Sequence, residues 1–283
     1  MRPDGRGSGS QVRDPDVFGG LILAMDTSGR RGSAAVAAPV GEDPRRLEVL
    51  SRVFLRAEEE HASLLIPRIR ALLEEIGADR EELAGIVVGA GPGSFTGVRV
   101  GAATAKGFSR ALRLPLWVFS SLAAAAMADG SSRGMPFEGH PAWGGEGETG
   151  RLSSDFDTIR PRCVLFDARG DRVYAAAYRL SMGRVETLLA PCATTLAEVL
   201  DGLVPPGALL LGDGALRNRA ILEEAGHPVL PPPFGEPSAD GLIRLLALSP
   251  DEPPLDAPER WEPQYLRASG AERMWKTRRG MGR

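Results

Sequence analysis

The sequence predicts an α/β protein of two lobes. Short apolar runs of strand type alternate with stretches whose apolar residues recur at helical spacing, the pattern of a sheet covered on its faces. An apolar strand, an aspartate, a small-residue turn and a return strand occur twice, once around Asp26 and again around Asp167. Residues 129–160, between these halves, are rich in Gly, Ser, Glu and Pro and have no periodicity. Duplicated halves of this kind suggest a cleft between them.

Residues 1–17 are polar, lack the apolar stretch of a signal peptide, and read as a disordered extension. The first lobe is expected over 18–128. Its opening strand, 21–25, is continuously apolar and ends at the turn formers Asp26, Thr27, Ser28 and Gly29. Residues 33–37 and 52–55 follow as strands. Leu65, Ile69, Leu72 and Ile76 then fall at i, i+4, i+7 and i+11, a helical stripe that begins after His61 and that Leu64 and Leu73 widen. Pro67 within the stripe predicts a kink or a late start. Residues 85–89 form a buried-type strand that enters the loop 90–96, and a helix is expected over 97–112. A strand at 115–119 and an Ala-rich helix at 121–128 complete the lobe. Beyond the linker or insertion at 129–160, a second, smaller lobe is expected over 161–267. It has strands at 163–166 and 173–178, another at 208–212 entering the Asp213-Gly214 turn, and a helix over 238–248 capped by Ser238. Its C-terminal part is expected to pack back on the first lobe, and 268–283 form a basic tail.

Composition narrows the chemistry. The 283 residues carry 34 Lys and Arg against 37 Asp and Glu, a net charge of −3, which argues against a protein that coats nucleic acid by bulk charge. A hydrophobic fraction of 43% is ample for a packed core. The histidines His61, His140 and His227 and the cysteines Cys163 and Cys192 form no HxxxH, HxxH or CxxC pair, so no local metal cluster is expected. Two thiols in so long a chain suit a reducing cytosol, and no apolar run of membrane-spanning length occurs.

Three segments offer chemistry. The loop Gly91-Pro92-Gly93-Ser94-Phe95-Thr96-Gly97 joins a strand to a helix, where free amides make a ready anion site. It lacks a Walker lysine and fails both GxGxxG and GxSxG. It therefore reads equally as a phosphate site or as a tight turn with Ser94 or Thr96 capping the helix. Asp26, Thr27 and Ser28 read either as ligands for a magnesium-bound phosphate or as an Asx turn closing a hairpin. Asp167 allows the same pair of readings, and the bulky Arg169 beside it favours the turn. Finally, Gly97, Gly101, Ala105 and Ser109 recur every fourth residue. Glycine inside a helix costs roughly 1 kcal/mol relative to alanine, so this stripe implies that another backbone comes close. The neighbour is either the chain's own sheet or a partner's helix.

Together these segments resemble one family, TsaB (also called YeaZ), a subunit of the bacterial machinery that makes threonylcarbamoyladenosine in tRNA. The resemblance rests chiefly on residues 91–101, Gly-Pro-Gly-Ser-Phe-Thr-Gly-Val-Arg-Val-Gly, with Ala105-Lys106-Gly107. The run Leu23-Ala24-Met25-Asp26-Thr27-Ser28 supports it, as do His61-Ala62-Ser63-Leu64-Leu65-Ile66-Pro67 and Asp167-Ala168-Arg169 with Tyr174. Gly212-Asp213-Gly214 and Pro263-Gln264-Tyr265-Leu266-Arg267 complete it, so that it spans about residues 21–267. It implies an actin-like (ASKHA, Hsp70-type) fold of two ribonuclease-H-like lobes and a cytoplasmic, non-catalytic subunit. It further implies pairing with the catalytic paralogue TsaD, with the small ATPase TsaE, or with a second copy as a homodimer, and contact with tRNA only indirectly. On that reading the chain binds no cofactor or metal itself, ATP and a metal ion being used by the partners. His61, Leu65, Ile69, Leu72, Gly97, Gly101, Ala105 and Ser109 are expected at the partner interface. Asp26, Thr27, Ser28, Gly93, Ser94 and Asp167 are expected at a vestigial nucleotide or phosphate site. The rival expectations are a free-standing actin-like ATPase, kinase or peptidase, and a simple homodimeric binding module.

Overall fold

The computed structural model describes residues 19–41, 43–55, 58–127, 160–181, 183–249 and 251–266; the side chains of 43–45 and 58–61 lie outside that description. The expected extension at 1–17, the linker up to 159 and the tail at 268–283 also lie outside the described residues.

The first sheet holds five strands: β1 (Leu21–Asp26), β2 (Gly32–Val40), β3 (Asp43–Leu55), β4 (Leu83–Gly89) and β5 (Leu116–Phe119). Their spatial order is β3-β2-β1-β4-β5. β1, β2 and β3 form an antiparallel meander, whereas β1, β4 and β5 run parallel. Parallel strands need crossovers, and α1 (Glu58–Glu75) and α2 (Phe95–Leu112) supply them before the short α3 (Ser121–Ala126). The second sheet repeats the plan with β6 (Arg162–Asp167), β7 (Arg172–Ser181), β8 (Arg184–Thr195) and β9 (Leu209–Leu211), in the order β8-β7-β6-β9. Here β6 and β7 pair antiparallel and β6 and β9 parallel. A lone parallel bridge between Leu210 and Val229 stands where a fifth strand would lie. Short helices α4 (Leu196–Glu198), α5 (Asp213–Arg217) and α6 (Arg219–Glu224) flank this sheet, and α7 (Ala239–Leu248) follows.

The layers follow from burial. One face of the first sheet packs Leu23, Met25, Ile86 and Val88 against Leu65, Ile69 and Leu72 of α1 and Ala105 of α2. Its other face packs Ile22, Ala24 and Val87 against α3 and α7, and the same cluster continues into Val164, Phe166 and Tyr178 of the second sheet. A third cluster, with Cys163, Leu165, Ala175 and Leu210, fills the far side of that second sheet. The two lobes therefore share one continuous apolar layer built from α3 and α7. At their crossing, a Cβ at Gly241 would overlap the Ala124 carbonyl. The chain then returns over the first lobe. Leu255 N–H donates to the Leu116 carbonyl at 2.9 Å, Trp117 Nε1 to the Glu252 carbonyl at 3.0 Å, and Gln264 N–H to the Ala90 carbonyl at 3.0 Å.

Several elements differ from expectation. β3 is thirteen residues long rather than four, because its outer half is an edge strand whose exposed polar residues dilute the apolar signal. β8 escapes the sequence for the same reason. α1 opens at Glu58, not at His61, and runs through Pro67. α2 starts at Phe95 rather than Gly97, with Ser94 as its N-cap.

Candidate functional site

The C-terminal ends of β1 and β4 bring the first motif residues together. Asp26, Thr27 and Ser28 are only 1%, 2% and 3% exposed. Asp26 Oδ1 accepts from the Ser28 amide at 2.8 Å and from Ser28 Oγ at 2.6 Å, the Asx turn anticipated for a hairpin. Thr27 Oγ1 donates to the Gly97 carbonyl at 2.7 Å, and Ser94 N–H donates to the Ser28 carbonyl at 2.7 Å. Ser94 Oγ in turn accepts from Gly97 N–H at 3.3 Å. Asp26 Oδ2 is buried without a hydrogen bond, beside Gly89 and the Ser121 hydroxyl. Burial pushes the Asp26 carboxyl above the usual carboxylate range, against the opposing pull of the two Ser28 hydrogen bonds. The polar atoms that a phosphate or its metal would need are thus turned inward, fastening the start of α2 to the β1–β2 turn. Gly93 belongs to the same closure, since a Cβ there would overlap the Ser28 carbonyl.

The equivalent corner of the second lobe is more open. Asp167 Oδ1 accepts from Arg169 N–H at 2.9 Å, repeating the Asx turn of Asp26, and Arg169 itself takes the left-handed conformation with φ of 66°. Asp167 Oδ2 pairs with Arg217 Nη1 at 2.6 Å, and Asp213 Oδ1 accepts from the Asp167 amide at 3.0 Å. Asp213 is exposed, yet desolvation by the surrounding protein raises its carboxyl above the usual range, with the Asp167 amide and Arg30 drawing it back. Glu236 is raised likewise by burial, with Arg31 drawing it back. Arg217 and Glu236 are site residues that the sequence did not suggest, because no motif spacing links them to Asp167. Among the described residues no group of three His, Cys, Asp or Glu side chains is arranged to hold a metal ion.

The expected partner interface requires correction. Leu65, Ile69 and Leu72 are 1–3% exposed and belong to the core of the first lobe. Gly97, Gly101, Ala105 and Ser109 are buried in α2 as well. A Cβ at Gly97 would overlap the Thr27 carbonyl, and one at Gly101 would lie 2.5 Å from Thr27 Oγ1. The small-residue stripe therefore serves the chain's own β1–β2 turn. The side chain of His61 lies outside the description. A second small stripe, also at i, i+4 and i+8, consists of Ala103, Gly107 and Ala111, and it is exposed. A Cβ at Gly107 would meet nothing within 4 Å. On α1, Ser63, Ile66 and Arg70 are exposed as well, Ile66 to 59%.

Two ribonuclease-H-like sheets that share their central helices define an actin-like fold. The family model for TsaD, tRNA N6-adenosine threonylcarbamoyltransferase, matches residues 54–138, the stretch that contains α1 and α2. The TsaB protein of Bacillus subtilis is 27% identical over 205 residues, covering 72% of this chain and 75% of its own. The TsaB protein of Haemophilus influenzae is 36% identical over 107 residues, 38% of this chain and 42% of that one. The solved structure of YeaZ from Pseudomonas aeruginosa has the same fold, with a TM-score of 0.62 and 24% identity over 87% of this chain and all of that one. The chain is thus similar in sequence to TsaB proteins and shares the fold of YeaZ.

Proposed function

We propose that this chain is a non-catalytic subunit in the formation of threonylcarbamoyladenosine in tRNA, acting by docking on the catalytic paralogue TsaD. The role in the pathway comes from the TsaB relatives. The non-catalytic assignment rests on one observation: Asp26, Thr27 and Ser28, which an actin-like enzyme would turn toward a nucleotide phosphate, are buried and bonded to their own lobe. A continuous apolar layer between the lobes also opposes the hinge opening that a turnover cycle in the cleft would use. The docking surface is the outward face of α1 and α2, where Ala103, Gly107 and Ala111 permit close approach of a second helix and Ile66 supplies exposed apolar area. A second copy of the chain would use the same face as a homodimer, and TsaE joins the assembled pair. ATP and the metal ion belong to those partners.

The experiment is reconstitution. Purified TsaD, TsaE and the enzyme that supplies the threonylcarbamoyl donor are incubated with unmodified tRNA, with and without this chain. Modification that depends on the chain, together with no nucleotide hydrolysis by the chain alone, is the expected result. Full modification without it rejects the subunit role, and hydrolysis by the isolated chain that Asp26→Ala abolishes revives the enzyme reading.

A further inference from the structure

Charge is distributed unevenly over the first lobe. Residues 83–128 contain four basic side chains and neither Asp nor Glu, in a chain whose net charge is −3, so α2 is a cationic helix on an acidic protein. Two of its arginines, Arg99 and Arg110, are exposed and lie eleven residues apart. That spacing makes about three full turns and a rise of about 16 Å, so both project from one face. The exposed Ala103 and Gly107 lie between them on that face. Neither Arg99 nor Arg110 has a carboxylate partner among the described residues, whereas Lys106 lies 3.8 Å from a Glu262 carboxylate oxygen. Arg99 is also held in place. Its guanidinium carbon is 3.7 Å from the Phe95 ring centroid and 5.5 Å from that of Tyr265, and its Nε donates to the Tyr265 hydroxyl at 2.9 Å. A guanidinium fixed in this way keeps its two terminal nitrogens for an incoming acceptor and loses little freedom when it binds a carboxylate.

A second copy of the chain fits this face poorly. A two-fold contact presents the same patch to itself. Antiparallel α2 helices crossing at Ala103 and Gly107 would bring Arg99 of one copy toward the partner's Arg110, and parallel helices would bring each arginine toward its own equivalent. Like charges meet in either direction. The described side chains of α1 do not relieve this: Glu74 pairs with Arg70 at 2.7 Å, Glu75 accepts from the Ser51 hydroxyl, and the exposed Arg68 adds positive charge. A helix that carries carboxylates meets the opposite situation, with two uncompensated cations at the ends of a stretch narrow enough for close approach. Repulsion from the wrong partner and attraction to the right one then come from the same two residues.

We propose that Arg99 and Arg110 select, for the α2 face, a partner helix bearing carboxylates about three turns apart, and select against a second copy of this chain. TsaD is the bearer of that helix, an identity that rests on the proposed function. The full chain, as wild type and with Arg99→Gln, Arg110→Gln or both, is titrated with purified TsaD at about 50 and about 500 mM salt, and its self-association is followed by sedimentation velocity in the same buffers. At low salt each single variant is expected to bind TsaD about tenfold more weakly and the double variant about a hundredfold. High salt weakens the wild-type complex and changes the double variant little, because screening acts on the charges that the variant lacks. Self-association moves the other way and is stronger in the double variant than in the wild type at low salt. Unfolding curves accompany each variant; Arg110→Gln, which removes a side chain with no partner among the described residues, separates lost binding from lost folding. Unchanged TsaD affinity and salt dependence in the folded double variant overturn the proposal and leave docking itself standing. Wild-type self-association tighter than TsaD binding at low salt also overturns it. No binding of TsaD by the wild-type chain at either salt rejects the docking reading and this proposal with it.

Discussion

Two glycines in one helix are expected to respond oppositely to the same substitution. Gly97→Ala places a methyl against the Thr27 carbonyl and displaces the Thr27 Oγ1–Gly97 carbonyl hydrogen bond of 2.7 Å. Overpacking of a buried contact costs about 1–3 kcal/mol, and a lost buried hydrogen bond about 1 kcal/mol. Better helix propensity returns about 1 kcal/mol. The net loss is about 2 kcal/mol, which for a domain of this size lowers Tm by roughly 4–8 °C. Gly107→Ala gains the same propensity with nothing to overlap, so it raises stability by about 1 kcal/mol and Tm by roughly 2–4 °C. Urea unfolding with a shared m-value, checked by calorimetry, reads both changes. Shifts in the same direction would refute the assignment of one stripe to the chain's interior and the other to its surface.

Asp26 and Ser94 provide further tests. The raised Asp26 pKa means that the folded protein holds this proton more tightly than the unfolded chain does, so stability declines as pH rises from about 3.8 through the folded value. Asp26→Asn keeps the acceptor for Ser28 and removes the buried charge; it is expected to retain the fold, flatten this part of the pH–stability profile and leave reconstituted modification intact. Loss of modification by a folded Asp26→Asn protein would contradict the closed-corner reading. Ser94→Ala removes the N-cap of α2 and is expected to cost about 1 kcal/mol, roughly 2–4 °C in Tm; an unchanged Tm would show that the cap contributes nothing.

Much of the architecture was legible because period and burial coincide. The apolar runs at 21–25 and 85–89 became central strands, and the repeated Asp-turn units became matching hairpins whose aspartates each accept from the amide two residues on. The edge strand β8 was not legible, since solvent on one side removes the continuous apolar signal. The α2 stripes show a different limit. Spacing marks Gly97, Gly101, Ala105 and Ser109 as one line, but only the fold shows that this line faces the β1–β2 turn and that Ala103, Gly107 and Ala111 form an exposed one. The stabilising role of Asp26, Thr27 and Ser28 was likewise open, because an Asx turn and a phosphate turn use the same residue types. Arg217 acquires its place in the second corner from a contact fifty residues distant.

The central claim is that this chain works through the outward face of α1 and α2. Gly107 is an exposed position of α2 at which an added Cβ meets nothing within 4 Å, so Gly107→Trp leaves the fold intact while obstructing close helix approach. The decisive measurement is the Kd between labelled chain and TsaD for wild type and Gly107→Trp, with unfolding curves recorded for both. A variant that folds normally but binds at least about tenfold more weakly, a change of about 1.4 kcal/mol, is the predicted result. Wild-type affinity in the folded Gly107→Trp protein would contradict it.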